Sequence, residues 1–231
     1  MSLKTTLIYP GIAGQGFQSL KKGMEAGWIS HGLARLSAAA KAEGFDVDLI
    51  DLRALSSWDH FRAVLAERDP DVVGVTLMSV DYNPAKKAVA AAKAVKPDVI
   101  TVIGGAHVTI ALEDALQIPH VDYLVTREGE VTFPRLLSQI AEGDAPSQRV
   151  LRGEPPDLDA IPFADRELFL GEWKKWGYDL ASPEVPFVPE LPPPFVTIIA
   201  GRGCLYNCAF CKPGEDYLFG KRTRRRSVAN V

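Results

Sequence analysis

Asp71-Val72-Val73-Gly74-Val75-Thr76-Leu77-Met78-Ser79 carries a nearly continuous apolar run, Val72 to Leu77, in which Thr76 is the one polar residue. A strand solvated on one face alternates apolar and polar side chains, so a nearly continuous run of this kind belongs to a strand buried on both faces of a parallel sheet. Val99 to Ile103 and Val121 to Val125 repeat the pattern downstream, and Thr5 to Tyr9 and Phe45 to Leu52 precede it. The last three runs each follow an aspartate: Asp71, Asp98 and Asp122. Between the runs lie segments such as Gly32 to Glu43 and Pro84 to Val95, rich in Ala, Leu and Lys, which favour helix. Alternating strand and helix implies right-handed crossovers, and the expected fold is α/β with a doubly wound, five-stranded parallel sheet.

The 231 residues leave room for one large domain or two smaller ones, and a hydrophobic content of 47% is enough for a core. A net charge of -3 gives no global electrostatic reason to expect nucleic acid or an anionic membrane as a partner. No apolar run approaches the roughly 20 residues of a membrane helix, and Met1 to Pro10 lacks the regions of a signal peptide. The expectation is a cytoplasmic protein with no membrane span and no nucleic-acid partner.

Punctuation divides the chain into three. Gly143-Asp144-Ala145-Pro146-Ser147 ends the first unit, residues 1–145. From Glu154 to Pro194 prolines recur at 155, 156, 162, 183, 186, 189, 192, 193 and 194, so 146–194 is expected to be a linker or extended wrapping arm. Trp173, Trp176 and Tyr178 within it imply that the arm packs onto something. A sixth apolar run, Phe195 to Ala200, opens the last unit, 195–231, and leads into Gly201-Arg202-Gly203-Cys204. Near the end, Lys221-Arg222-Thr223-Arg224-Arg225-Arg226 reads as a solvated loop entering a helix capped by Ser227.

The three cysteines fall within eight residues, which argues against a disulfide framework and for a metal site. Cys204-x-x-x-Cys208-x-x-Cys211 can wrap one corner of a cubane cluster, supplying three iron sites and leaving the fourth iron open for chemistry. Gly201 and Gly203 relax the backbone before the loop, and Phe210 is placed to shield it from water. Three unrelated core cysteines, or a structural zinc site, are the alternatives. Zinc wants a fourth protein ligand, yet no His or Cys follows Cys211, and the histidines at 31, 60, 107 and 120 all precede the proline-rich stretch.

Doubly wound sheets bind ligands beyond the carboxyl ends of their strands, where strand order reverses. There the chain carries Thr76-Leu77-Met78-Ser79, Gly104-Gly105-Ala106-His107 and Arg127-Glu128-Gly129-Glu130. Adjacent glycines admit a bulky ligand to the backbone and Thr76 and Ser79 offer hydroxyls, although turns alone also favour glycine. Gly11-x-x-Gly14-x-Gly16 lacks the dinucleotide-binding spacing.

Gly201-Arg202-Gly203-Cys204-Leu205-Tyr206-Asn207-Cys208-Ala209-Phe210-Cys211 resembles the radical S-adenosylmethionine (SAM) signature, with an aromatic residue before the third cysteine. With the preceding α/β unit, it resembles the subfamily whose radical SAM domain follows a flavodoxin-like cobalamin-binding domain, and that resemblance spans most of residues 3 to 231. The subfamily includes methyltransferases acting on unactivated carbon and the anaerobic magnesium-protoporphyrin monomethyl ester cyclase. The resemblance implies that Cys204, Cys208 and Cys211 hold a 4Fe-4S cluster whose free iron binds SAM, which is cleaved to a 5′-deoxyadenosyl radical, with Phe210 near the adenine. It implies that Thr76, Ser79, Gly104, Gly105 and Gly129 line the buried nucleotide tail of cobalamin. It further implies a small-molecule substrate, an electron donor such as flavodoxin or ferredoxin, and methyl transfer or oxidative cyclisation as the activity. The Asp-x-His-x-x-Gly of better-known cobalamin domains is absent, so His31 and His107 are not expected to ligate cobalt. Methylthiotransferases also place an α/β domain first, but use three further cysteines there, and this chain has none. Since a partial barrel needs several more strand and helix units than the twenty residues after Cys211 provide, the chain is expected to be an inactive N-terminal fragment of a longer enzyme, with a truncated barrel.

Overall fold

The computed structural model describes residues 3–14, 16–21, 29–178 and 196–231. The expected prolines from 183 to 194, and Phe195, lie outside the described residues. One parallel sheet contains β1 (Lys4–Tyr9), β2 (Asp46–Asp51), β3 (Val72–Thr76), β4 (Ile100–Gly104), β5 (Tyr123–Thr126) and β6 (Val150–Arg152), in the order β2-β1-β3-β4-β5-β6. The five apolar runs are the first five strands. The sheet has six strands rather than the expected five, because Val150-Leu151-Arg152 pairs with Leu124, Val125 and Thr126 at the edge. Three residues of which none is fully buried leave no apolar run to read.

Period-two geometry sends alternate strand residues to opposite faces. Leu7, Leu49, Val72, Val102 and Val125 face a core built with α1 (His31–Ala42), α6 (Thr132–Glu142) and α7 (Glu167–Lys175). Ile8, Ile50, Val73, Ile103 and Leu124 face the other, built with α2 (Trp58–Arg68) and α3 (Tyr82–Val95). Each fully buried Leu or Ile contributes about 1.5–3 kcal/mol, so the two faces together hold the sheet. Two short helices, α4 (Ala106–Ile110) and α5 (Leu112–Leu116), complete the second face.

The aspartates before the strands satisfy amides at the amino ends of neighbours. Asp71 Oδ2 accepts from Lys4 N–H at 2.9 Å, and Asp122 Oδ2 from Thr101 N–H at 2.7 Å. Ser30 and Ser57 cap α1 and α2 by accepting from Leu33 N–H and His60 N–H. Gly143, with φ 76°, ends α6 in the left-handed conformation that a non-glycine residue would strain to reach.

Helix α7 corrects the reading of 146–194 as irregular. Prolines frame that stretch, but 163–182 contains none, and its Leu168, Phe169 and Trp173 lie on one buried face. Trp173 Nε1–H donates to Asp51 Oδ2 at 2.8 Å, deep beside β2, where Asp51 also takes Arg53 Nη2 at 2.7 Å. Arg53 in turn lies over the Tyr9 ring at 4.3 Å. Arg68 bridges β2 to α7 through Glu172 at 2.6 Å. Asp165, just before α7, accepts from Ser37 Oγ and Lys41 Nζ of α1, each at 2.7 Å.

The last residues form no barrel among the described ones. β7 (Gly201–Arg202) pairs antiparallel with β8 (Arg224–Arg225), and α8 (Lys212–Phe219) lies between them. Residues 196–200 belong to no strand and are held by Arg35 of α1 to the Ile199 carbonyl at 2.5 Å, by Arg166 to the Thr197 carbonyl at 2.6 Å and by Arg226 N–H to the Ala200 carbonyl at 2.8 Å. The basic run is not a solvated loop throughout: Arg226 is buried, donating to Asn230 Oδ1 and stacking on Phe163. Residues 228–230 make a turn rather than the expected helix, with Asn230 N–H on the Ser227 carbonyl. No helix among the described residues is long and apolar enough to cross a membrane.

Trp173→Phe is expected to cost about 1–3 kcal/mol in urea unfolding, because it removes a donor from a buried carboxylate and leaves a small cavity where the larger ring was buried. Asp165 gives a pH test. Burial alone pushes its carboxyl up, but hydrogen bonds from Lys41 and Ser37, the Lys41 charge and the Leu168 N–H together hold it below the usual carboxylate range. A depressed native pKa contributes stability that is present above the unfolded value and is lost as pH falls through the native one. Thermal unfolding of Asp165→Asn from pH 7 to 3 should therefore show a lower melting temperature at neutral pH and a flatter acid limb than the parent.

Candidate cofactor site

Chain reversal between β1 and β3 opens the sheet at its carboxyl rim, and a cavity of about 200 Å³ lies there. Leu7, Leu33, Leu36, Val102, Val125 and Phe133 give it an apolar wall. Gly74 makes the room, since a Cβ there would sit 2.8 Å from Leu7 Cδ2. Gly105 is the most constrained member, with φ 111° and ψ -174°, and a Cβ would lie 2.8 Å from the Leu77 carbonyl oxygen. Two bonds interlock these strand ends: Leu77 N–H to Gly104 C=O at 2.7 Å and His107 N–H to Leu77 C=O at 3.0 Å.

Of the five residues implied for a nucleotide tail, Thr76, Gly104, Gly105 and Gly129 come together in the cavity wall. Ser79 does not line it. Its Oγ lies 2.9 Å from His107 Nδ1, and His107 Nε2 lies 3.0 Å from Asp114 Oδ2. Both ring nitrogens of His107 are therefore engaged, and His31 Nε2 lies 2.6 Å from Thr197 Oγ1.

The opposite wall comes from the last part of the chain. Arg202 of β7 and Leu218 and Phe219 of α8 line the cavity beside Arg127, Glu128 and Glu130. Glu128 and Glu130 are buried, and Arg202 pairs with Glu130 while Arg224 pairs with Glu128. Burial pushes the Glu128 carboxyl above its ordinary range against the pull of Arg224 and Arg202. Burial, and then the Arg202 charge, lower Arg35 to about 10. Sequence reasoning quoted the Arg127 to Glu130 loop for its glycine and missed its acids. The signal for them was complementarity: a Glu-x-Glu loop and a late arginine run in one chain.

The cysteine loop runs from β7 to α8. Cys211 sits at the amino end of α8, the Cys208 carbonyl accepts from Cys211 N–H and Lys212 N–H, and Lys212 Nζ donates to the Cys204 carbonyl at 3.1 Å. Cys208 and Cys211 are exposed and Cys204 is partly so, with Phe210 93% exposed rather than covering them. Among the described residues no three His, Cys, Asp or Glu side chains converge as a metal site. The donor set suits an iron cluster, being three thiols on one short loop opened by Gly203 at φ 81°, but the thiols are not held in a ligating arrangement.

A family model for the B12 binding domain matches residues 25–137, which contain most of the cavity's wall. Residues 25–137 form a B12-binding domain. The chain is homologous to the N-terminal part of cobalamin-dependent radical SAM enzymes. An uncharacterized methyltransferase of Pyrococcus horikoshii is 30% identical over 217 residues, spanning 87% of this chain and 43% of that protein. The anaerobic magnesium-protoporphyrin IX monomethyl ester cyclase of Rubrivivax gelatinosus is 29% identical over 80% of this chain and 35% of its own length. The chain thus spans less than half the length of these relatives. Among solved structures, the radical SAM methyltransferase TsrM of Kitasatospora setae shares the fold with a TM-score of 0.61 at 20% identity, over 98% of this chain and 44% of that one. The cobalamin-dependent enzyme OxsB does so with 0.64 at 16% identity, over 99% and 30%.

In this B12-binding domain Gly105→Ala should destabilise the fold by roughly 1–3 kcal/mol, since the backbone there is one that side chains resist. Gly129→Ala should cost less, because its Cβ would meet side chains alone, the end of Leu36 at 3.0 Å and Val125 Cγ1 at 3.8 Å. Urea denaturation of both variants tests the order.

Proposed function

We propose that this chain is the cobalamin-holding and cluster-carrying part of a radical SAM enzyme that performs methyl transfer or oxidative cyclisation on a small molecule. The observation that carries the reading is the shared wall: Arg202 and Phe219, which flank the cysteine loop in sequence, line the cavity of the B12-binding domain. Bound cobalamin would supply a methyl carrier, and a 4Fe-4S cluster would supply the electron, received from a donor such as flavodoxin or ferredoxin, that cleaves SAM.

The chain's own residues do the holding. Thr76, Gly104, Gly105 and Gly129 leave space for a flat base between apolar side chains, and Cys204, Cys208 and Cys211 offer three thiolates for three irons. On this reading neither His31 nor His107 gives cobalt an imidazole, in keeping with the partners of both His107 ring nitrogens, Ser79 and Asp114, and of His31 Nε2, Thr197. Bound cobalamin is therefore expected to show no histidine nitrogen splitting in its paramagnetic form, unchanged by His31→Ala.

A second reading, a cofactor-binding module without turnover, is favoured by the exposure of Cys208 and Cys211. Anaerobic reconstitution with iron and sulfide separates the two. A reduced 4Fe-4S signal in electron paramagnetic resonance, lost in Cys208→Ala, together with 5′-deoxyadenosine released from SAM, is the outcome expected of an active site. Cluster uptake without SAM cleavage supports the module, and stoichiometric zinc with no iron uptake would sink both cluster readings.

A further inference from the structure

Arg127 stands at the cavity with φ 62°, a left-handed backbone that an L side chain adopts at a cost. Its surroundings hold it there. Arg127 N–H donates to Thr109 Oγ1 at 2.7 Å, and that hydroxyl donates to the Gly105 carbonyl at 3.2 Å. On the other side Gly153 N–H donates to the Thr126 carbonyl at 2.9 Å, with Gly153 so close that a Cβ would collide with the carbonyls of Thr126 and Glu128. A turn locked from both sides at a strained residue keeps that residue for its side chain.

The guanidinium has no such engagement. Arg202 and Arg224 are paired with Glu130 and Glu128, and Arg35 donates to the Ile199 carbonyl. Arg127 lines the same cavity, half-buried, with no carboxylate or other acceptor on its side chain among the described residues. It is a cation left over after the acids of the rim have been matched.

We propose that Arg127 is the anion subsite of this cavity and binds the phosphodiester of cobalamin's nucleotide tail. The inference rests on the cobalamin reading above and adds to it the group that recognises the tail's charge. The apolar wall suits the benzimidazole, and the remaining charged group of the tail is a monoanion, for which a guanidinium offers two parallel N–H donors. Because Glu128 and Glu130 are already neutralised by Arg202 and Arg224, they do not repel an anion at this rim.

The test compares hydroxocobalamin with cobinamide, which lacks the phosphate, ribose and base, by spectroscopic titration of the full chain. Arg127→Gln should weaken hydroxocobalamin binding tenfold or more while changing cobinamide binding less than twofold. Arg127→Gly should do the same and also raise the melting temperature of the ligand-free protein, since glycine relieves the left-handed turn. That pairing of higher stability with lower affinity is one a merely structural arginine would not give. Unchanged hydroxocobalamin affinity in both variants would overturn the inference and leave the cobalamin reading standing, as would equal losses for both corrinoids. Failure of the parent chain to bind either corrinoid would overturn both. Competition by millimolar inorganic phosphate in the parent, absent in Arg127→Gln, would support the subsite, whereas phosphate binding without loss of cobalamin would assign Arg127 to free phosphate instead.

Discussion

Glu128 and Glu130 are carboxylates taken out of water at the rim of the sheet, and Arg202 and Arg224 are what make that burial tolerable. Removing one partner of a buried pair typically costs about 3–5 kcal/mol, because the other charge stays buried and unmatched. The two acids belong to the loop after β5 and the two arginines to the strands that bracket the cysteine loop, so the pairing fixes one part of the chain against the other. The cavity depends on it. Arg202 ties the wall containing Leu218 and Phe219 over the apolar floor, and Arg224, Arg226 and the packing of α8 on α4 hold the same segment.

Parallel pairing supplies the rest of the frame. Because every neighbour in the sheet requires a crossover, all the loops that follow strands emerge at one rim, and the Thr76, Gly104 and Gly129 positions meet there despite lying far apart in sequence. That much was legible: nearly continuous Val, Ile and Leu runs marked the central strands, and paired glycines at a strand end marked the cavity. Strand β6 was not legible, since three half-exposed residues carry no pattern. Helix α7 was obscured by the prolines around it, although its Trp173 and Tyr178 announced a packed segment.

What the sequence could not display were contacts between residues nearly a hundred positions apart. Arg224 looked like part of a solvated basic run until Glu128 was placed opposite, and Phe219 had no feature to connect it with Gly105. The cysteines were legible as a ligand set from spacing alone, but spacing says which atoms could bind and not how they are held. Ser79 illustrates the same limit: its hydroxyl was available on paper, and in the fold it is turned to His107.

Helix α8 contains no fully buried residue. Its attachment runs through packing on α4, the Arg202 and Arg224 pairs and partial cover of the cavity, whereas the strands rest on two apolar cores. Such a chain has two tiers of stability: the sheet opens only with global unfolding, and a segment with few buried contacts opens at a lower free energy. The cysteines thus sit in the upper, looser tier, where three thiols can be gathered around a metal without any strand letting go of its neighbour.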